Sequence, residues 1–436
     1  MKLVFLILFL FLSSKTTSQE NFEPDEINLK NGMRVIFIQN KRAPVIAQMI
    51  WYNFGSGVEE KGKSGLAHFM EHLMFKGTRK FKDSYFSDYI SRIGGSENAF
   101  TSYDYTAYYQ VYPKAELKKM LQMEADRMTN LTLTKENIEV EKKVILEERF
   151  QRIESDPSAK LDESMRSILF PNHYYGRPII GWKHEIEKLN YNDVLNFYKK
   201  NYTPKNAILV LSGDIDIENA KKYSKKYFGK IKNKKYEEIE ELTDPDLSTN
   251  VFVTMKHSTV KQPVWKKFYR TFSYKNDLRK SLALDIGLKI LAGGSSSLLY
   301  QELVSEKKMF SVVGGYYQGL TRGQGSIYLY AIPKTGINLQ NVDKIIMDEV
   351  KEIISKKLTT KRFEVEKKKY FFDMIYERDG VLNPAQFYGE ALTIGLKLDD
   401  IKFFNNKVKS ITIDDVKKSL EELYLNKNYV VGELIK

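Results

Sequence analysis

The sequence contains no cysteine and only five histidines among its 436 residues. The absence of cysteine excludes disulfides, cysteine-ligated zinc, iron–sulfur clusters and a cysteine nucleophile. Any bound metal must therefore be held by histidine and carboxylate side chains. Beyond the N-terminus, no stretch reaches the ~18 consecutive apolar residues that a transmembrane helix needs, so we expect the mature chain to be soluble.

The length predicts two or three domains, and the composition is that of a folded protein. Hydrophobic residues make up 42% and charged residues 29% of the chain, which excludes a disordered or collagen-like protein. The net charge of +13 comes mainly from scattered lysines and favours a solvated surface. A basic nucleic-acid or membrane-surface binder is the weaker alternative. Its best candidate segment is 221–236, and binding there should collapse with salt.

The N-terminus is predicted to be a signal peptide spanning residues 1–18. A ten-residue apolar run, Leu3 to Leu12, follows Lys2 and is too short to cross a bilayer. Small and polar residues follow, and we expect cleavage after Ser18. The alternative is an uncleaved anchor. In a bacterium, cleavage would place the protein in the periplasm or outside the cell.

The mature chain is predicted to form two α+β halves, each a mainly antiparallel sheet packed with helices. The N-terminal domain covers 19–232, a charged linker without apolar periodicity covers 233–250, and the C-terminal domain covers 251–436. In both halves a strand region precedes a helix, further strands and then more helices. This similar order suggests an old duplication.

The N-terminal half contains an H-x-x-E-H motif within a predicted helix, 66–75. His68 and His72 are four residues apart and therefore share one helix face. Two imidazoles at this spacing can bind one metal ion, and Glu71 lies beside them as a candidate general base. This order is the inverzincin signature. A zinc ion there would lower the pKa of a bound water toward ~7, and Glu71 would carry the proton to the leaving amine.

A third metal ligand is expected on a second helix, 135–153, which Thr134 is predicted to cap. Glu141 and Glu148 are seven residues apart and share a face. Glu148 is the predicted ligand, and Glu141 is predicted to orient one histidine through a hydrogen bond. Taken alone, this segment would indicate only a solvated acidic helix face. Of the remaining histidines, we expect a structural role for His173 and surface positions for His184 and His257.

Several further segments appear in an order typical of one enzyme family. They are Gly65 to Thr78 with the H-x-x-E-H motif, Gly94 to Thr101, Tyr105 to Tyr109, Glu141 to Glu148, Asn172 to Gly176, Asn201 to Pro204 with Gly213-Asp214, and Gly293 to Leu303. Together they span nearly the whole mature chain. The sequence resembles the pitrilysin-type (M16) zinc metallopeptidases, which include short bacterial peptidases and the zinc-bearing subunit of mitochondrial processing peptidase.

The resemblance implies a specific site and fold. His68, His72 and Glu148 would bind one zinc ion per chain, and Glu71 would be the catalytic base. Glu141 would support one of the ligating histidines through a hydrogen bond. Manganese or cobalt could replace zinc. The implied fold is the LuxS/MPP-like metallohydrolase type. The family also implies that the strand near Glu97, Asn98, Ala99 and Phe100 binds substrate, because an extended peptide can add to an exposed strand edge. Without the family resemblance, Asn98-Ala99 would indicate only a turn that leads into a strand.

One departure from the family pattern concerns partners. Family members that act alone often carry an Arg and a Tyr, seven apart, in the second half. Here the corresponding stretch, Val304 to Ser311, contains neither, and the second half has no further H-x-x-E-H. The chain is therefore expected to pair with a similar, zinc-less chain around a chamber. A homodimer and a self-sufficient monomer remain the alternatives.

These observations predict a zinc metalloendopeptidase that cleaves peptides or short unfolded polypeptides. The alternative is a non-catalytic assembly or partner-stabilising subunit, as degenerate members of the family are. Loss of the motif would mark such a chain, and the motif is complete here.

Overall fold

The computed structural model describes residues 24–82, 84–234 and 241–436. The predicted signal peptide lies outside these residues, as does part of the predicted linker. Among the described residues, no helix is both long enough and apolar enough to cross a membrane.

The first half contains a six-stranded sheet in the order β1-β2-β6-β3-β5-β4. All neighbours pair antiparallel except β2 and β6, which are parallel. The strands are β1 (Asp25–Asn28), β2 (Arg34–Gln39), β3 (Val45–Tyr52), β4 (Ser96–Thr101), β5 (Thr106–Pro113) and β6 (Ala207–Gly213). The helices are α1 (Leu66–Leu73), α2 (Tyr85–Arg92), α3 (Leu117–Asn130), α4 (Lys135–Arg149), α5 (Pro157–Leu169), α6 (Lys183–Ile186), α7 (Tyr191–Asn201) and α8 (Ile217–Tyr227).

The second half contains a five-stranded sheet in the order β7-β11-β8-β10-β9. Its strands are β7 (Val251–Lys256), β8 (Val264–Thr271), β9 (Phe310–Gln318), β10 (Gly325–Pro333) and β11 (Tyr429–Ile435). Its helices are α9 (Leu278–Ala292), α10 (Leu298–Tyr300), α11 (Val342–Glu352), α12 (Thr360–Glu377), α13 (Leu382–Thr393), α14 (Leu398–Lys402), α15 (Phe404–Ser410), α16 (Ile413–Leu420) and α17 (Glu422–Leu425).

The two sheets have the same topology once β1 is set aside. Strands β2 to β6 correspond in order and direction to β7 to β11, including the single parallel pair. The predicted fold of two similar α+β halves is therefore confirmed. The domain limits at 232 and 251 stay predictions.

One helix of each half packs on the sheet of the other half. Helix α13 packs on β3 and β6, while α5 packs on β11. As a result, Trp51 and Ile208 of the first sheet belong to the same apolar core as the helices of the second half. The opposite face of the first sheet carries its own core, which includes α1 and α3.

Side-chain caps begin several helices, and Thr134 caps its helix as predicted. The Thr134 side chain accepts a hydrogen bond from the Asn137 amide at the start of α4, and Asn190 forms a capping box with Asp193 at α7. Helix α4 ends at Arg149, and the predicted helix continues as a π-helical turn, Phe150–Glu154. Strand β11 is not among the predicted elements.

Candidate functional site

Helix α1 presents both motif histidines on one face, as the spacing predicts. The helix begins after Gly65, whose φ of +92° is the left-handed conformation that glycine adopts readily. The buried Glu59 carboxylate accepts hydrogen bonds from the amides of Gly65 (3.0 Å) and Ala67 (2.8 Å). These bonds hold the first turn, and the rings of His68 and His72 lie 4.7 Å apart between centroids.

Helix α4 brings Glu148 to the two histidines. Its Oε2 lies 3.6 Å from His68 Nε2 and 3.4 Å from His72 Nε2. The ligand atoms of the three residues all lie within 4.8 Å of one another. Ligands bonded to a tetrahedral zinc at ~2.0–2.1 Å are about 3.3 Å apart, so this donor group fits a zinc ion. The structure thus brings together the three residues predicted as ligands.

Glu141 lies behind His72, on the side away from Glu148. Its Oε1 accepts a 2.9 Å hydrogen bond from His72 Nδ1, and its Oε2 lies 2.6 Å from Lys76 Nζ. The bond from His72, together with Lys76, lowers the pKa of Glu141 to about 2. Burial lowers the pKa of His72, but Glu141 and the other nearby carboxylates raise it above its usual value. Because Nδ1 donates to Glu141, Nε2 is left with its lone pair toward Glu148.

His68 is the more buried of the two histidines. Burial, followed by the charges of His72 and Arg152, lowers its pKa to about 3. The imidazole is therefore neutral at neutral pH, which is the form that binds a metal.

Glu71 lies beside the three predicted ligands without being one of them. Its Oε2 accepts a 2.6 Å hydrogen bond from the Thr101 hydroxyl, which ties helix α1 to the end of β4. Burial raises the pKa of the Glu71 carboxyl, and the Thr101 bond partly opposes this rise. A carboxyl with a raised pKa holds a proton more firmly, as a general base must.

Among the described residues, strand β4 forms an open edge of the first sheet, next to Glu71. The Ser102 amide bonds to Tyr105 of the neighbouring strand segment, so the even-numbered amides of β4 face β5. By alternation, the odd-numbered amides, including that of Ala99, face the open edge. The Ala99 amide is bonded instead to the Asn98 side chain at 2.8 Å. The edge therefore offers main-chain groups to an extended peptide.

The side chains of β4 play a smaller part in this edge. One carboxylate oxygen of Glu97 is buried and has no hydrogen-bond partner among the described residues. The Phe100 ring packs against Trp51 with centroids 5.4 Å apart. A peptide at this edge would therefore contact the backbone of the four predicted substrate-binding residues more than their side chains.

Besides the contact of Lys76 with Glu141, three contacts at the site were not predicted from the sequence. Arg152 lies 2.9 Å from Glu148 Oε1, leaving Oε2 toward the histidines. Thr101 holds Glu71, and Glu59 caps α1. Only Arg152 had a sequence indication, its i, i+4 spacing from Glu148.

The other histidines lie away from this site. His173 is buried, and its Nδ1 accepts a hydrogen bond from the Tyr175 amide, which fits the predicted structural role. The side chain of His184 is 70% exposed. His257 bonds locally to Thr259 in the loop after β7.

Comparison with known proteins identifies the family. Residues 34–183 match the family described as Insulinase (Peptidase family M16), and residues 188–370 match the Peptidase M16 inactive domain. The chain belongs to peptidase family M16. The H-x-x-E-H motif and Glu148 lie within the first of these matches.

Several M16 relatives are named as zinc proteases. The zinc protease PqqE of Helicobacter pylori is 31% identical over 299 residues, which cover 66% of this chain and 65%, just under two thirds, of that protein. The mitochondrial-processing peptidase subunit beta of Blastocladiella emersonii is 30% identical over 203 residues, 47% of this chain and 43% of that one. The crystal structure of a Helicobacter pylori protease superposes with a TM-score of 0.87 at 26% identity, covering 94% of this chain and 99% of that one.

Proposed function

We propose that this M16 chain is a zinc-dependent metalloendopeptidase that hydrolyses peptides or short unfolded polypeptides. The observation that carries the proposal is the position of Glu148 Oε2, within 3.6 Å of both motif histidines and on the side of α1 where Glu71 lies. A zinc ion bound there would polarise a peptide carbonyl and lower the pKa of a water molecule.

The protein's own groups account for the remaining requirements. The Glu71 carboxylate would take a proton from the attacking water and pass it to the leaving amine. Thr101 fixes one oxygen of that carboxylate, so its other oxygen remains for the proton. The open edge of β4 would hold the substrate extended beside Glu71 through main-chain hydrogen bonds, which do not depend on the substrate's side chains.

The first experiment is cleavage of a quenched, unstructured peptide by the zinc-loaded protein, with Glu71→Gln as its matched control. We expect cleavage by the wild type and its loss in Glu71→Gln, with zinc content unchanged because Glu71 is not among the ligand atoms. Cleavage that survives Glu71→Gln would contradict the assigned base. Zinc-loaded protein that cleaves nothing, alone or with a partner, would favour the non-catalytic assembly subunit.

We further propose that the chain acts as a dimer, with a zinc-less M16 paralogue as the favoured partner. The support is that Val304 and Ser311 stand where single-chain members of the family carry Arg and Tyr. Val304 lies in a π-helical turn and Ser311 in β9. Activity that appears only when the paralogue is added would support the heterodimer. Full activity of the isolated chain would contradict it. Export to the periplasm, through the predicted signal peptide, stays a prediction.

A further inference from the structure

A cavity of about 730 Å³ lies at the junction of the two halves. The first half contributes Ser102 and Tyr105, from the turn that follows β4. The second half contributes side chains from α9, α12, α13 and α15. Ser102 directly follows Thr101, whose hydroxyl holds Glu71. The cavity therefore lies next to the end of β4.

Arg378 lines the cavity and forms no ion pair with any of the described residues. Its guanidinium carbon lies 3.5 Å from the ring centroid of Phe387 and 4.8 Å from that of Phe404. Within the part of the chain that the structure describes, its one side-chain hydrogen bond is a 3.5 Å contact to Asn405, and no carboxylate pairs with it. Burial lowers its pKa to about 10, so it still carries its charge at neutral pH.

The cavity also contains Glu377, whose charge tends to raise the pKa of Arg378 but which forms no ion pair with it among the described residues. The remaining charged groups of the cavity are already partnered. Lys289 lies 2.7 Å from Asp373. Asp285 accepts hydrogen bonds of 2.8 Å from the hydroxyls of Tyr274 and Tyr370. Glu390 accepts a 2.8 Å hydrogen bond from Tyr105.

The carboxyls of Asp285 and Glu390 compete only weakly for the charge of Arg378. Burial raises the pKa of both Asp285 and Glu390, and the tyrosine hydroxyls supply their hydrogen bonds. Arg378 therefore remains the one charged side chain among these that has donors to spare. A planar guanidinium with several free donors suits a carboxylate, which it can bind with two parallel hydrogen bonds.

We propose that this cavity is a substrate subsite in which Arg378 binds a carboxylate of the peptide. The inference rests on the proposed peptidase function. The carboxylate could belong to an acidic side chain or to the C-terminus of a short peptide. In either case the enzyme would prefer peptides that place a negative charge beyond the end of β4.

The test is binding of three labelled decapeptides to the full-length, zinc-loaded Glu71→Gln protein, which should not cleave them. One peptide carries an internal Glu and an amidated C-terminus. The second has no acidic residue and a free C-terminus, and the third has no acidic residue and an amidated C-terminus. We expect the first or the second to bind about tenfold more tightly than the third, and which one does so identifies the source of the carboxylate.

Substitution of Arg378 tests whether this preference arises in the cavity. Arg378→Met should abolish it while keeping apolar contact with Phe387. Arg362→Met removes the same charge at the other end of α12, where Arg362 bonds to the Ser296 carbonyl, and should leave the preference intact. Equal binding of all three peptides, or a preference that survives Arg378→Met, would overturn the proposal.

A conservative variant keeps the test decisive if Arg378→Met fails to fold. Arg378→Lys retains the charge but loses the paired donors, so the preference should fall about threefold or more. An unchanged preference in that variant would overturn the proposal. Cleavage of the three peptides by the wild type is measured separately. Absence of cleavage of all three peptides, with and without the paralogue, would count against the peptidase function, whereas the binding preference bears on the cavity alone.

Discussion

At the scale of single residues, the site depends on groups that hold the predicted ligands in place. Glu141 fixes the tautomer of His72, and Arg152 takes one oxygen of Glu148 so that the other faces the histidines. Such supporting hydrogen bonds restrict the orientation of a ligand and raise its affinity for the metal. Glu71 is supported in the same way by Thr101.

Replacing Glu141 with Gln should weaken zinc binding by about 10- to 100-fold, because the His72 ring loses its charged acceptor. The measurement is zinc affinity by competition with a chromophoric chelator, which does not depend on activity. Glu147→Gln is the matched control, since Glu147 lies on the same helix and, among the described residues, its side chain bonds to Gln151 alone. Equal zinc affinity in the two variants would contradict the role given to Glu141.

At the scale of elements, α1, α4 and β4 form the site, and each is positioned differently. Helix α1 begins at a glycine that Glu59 caps, and α4 begins at the capping residue Thr134. Strand β4 is held on one side only, by β5, and its other edge is open among the described residues. The elements that carry the predicted metal ligands are thus fixed at their starts, while the proposed substrate strand stays accessible.

Ala99→Pro should weaken peptide binding by about tenfold, because proline removes the amide that faces the open edge of β4. An edge strand tolerates proline where the amide is not part of the ladder, so the zinc site should keep its metal. The measurement is peptide affinity in the Glu71→Gln background.

Asn98→Ala provides the control for that strand. It frees the Ala99 amide from the Asn98 side chain, so peptide affinity should stay equal or increase. Weaker binding in Asn98→Ala, or unchanged binding in Ala99→Pro, would argue against the strand edge as the substrate site.

The capping box at the start of helix α16 includes Asp415, and its contribution to stability should depend on pH. Burial tends to raise the pKa of Asp415, but its bonds with Arg279 and Thr412 lower it to about 2. Its contribution to stability is therefore present above the ordinary pKa and is lost as the pH falls toward 2. Asp415→Asn should cost about 1 kcal/mol at pH 7, and the difference should shrink between about pH 4 and pH 2.

Urea unfolding at several pH values measures this effect. Asp414→Asn is the control, because Asp414 is exposed in the same helical turn and makes no capping box. A destabilisation by Asp415→Asn that does not change with pH would contradict the ionic origin of the cap.

At the scale of the whole molecule, the two halves are joined through exchanged helices. Helix α13 covers the first sheet, and Tyr105 reaches from the first half to Glu390 on that helix. Arg322 adds hydrogen bonds to the carbonyls of Asn53 and Asp104. Burial of both sheets therefore requires both halves, and we expect them to unfold together.

Gly389→Ala tests the contact between α13 and the first sheet. A Cβ at Gly389 would lie 1.9 Å from Trp51 Nε1, within a buried core that cannot shift freely. The variant should lose about 1–3 kcal/mol of stability, although alanine favours a helix over glycine. Thermal unfolding measures the change.

Gly287→Ala is the matched control on α9. Its nearest neighbour would be the Leu420 side chain at 2.9 Å, which can move. We expect a smaller loss than at Gly389. Equal effects of the two substitutions would show that the tight contact between the halves does not limit stability.

The sequence by itself determined the features that depend on local spacing. The four-residue spacing placed His68 and His72 on one helix face, the seven-residue spacing placed Glu141 and Glu148 on another, and polar residues before the helices fixed their starts. Order along the chain was enough to predict two similar α+β halves. These features follow from helix geometry and backbone hydrogen bonding, which act over a few residues.

Only the tertiary structure decided which distant segments meet. It inserted the last strand, β11, between β7 and β8, exchanged α5 and α13 between the halves, and brought Thr101 to Glu71. It also placed Arg378 in a cavity, where none of the described residues forms an ion pair with it. The reason is physical: strand order and side-chain partners across hundreds of residues depend on which apolar faces bury one another, and no local spacing encodes that choice.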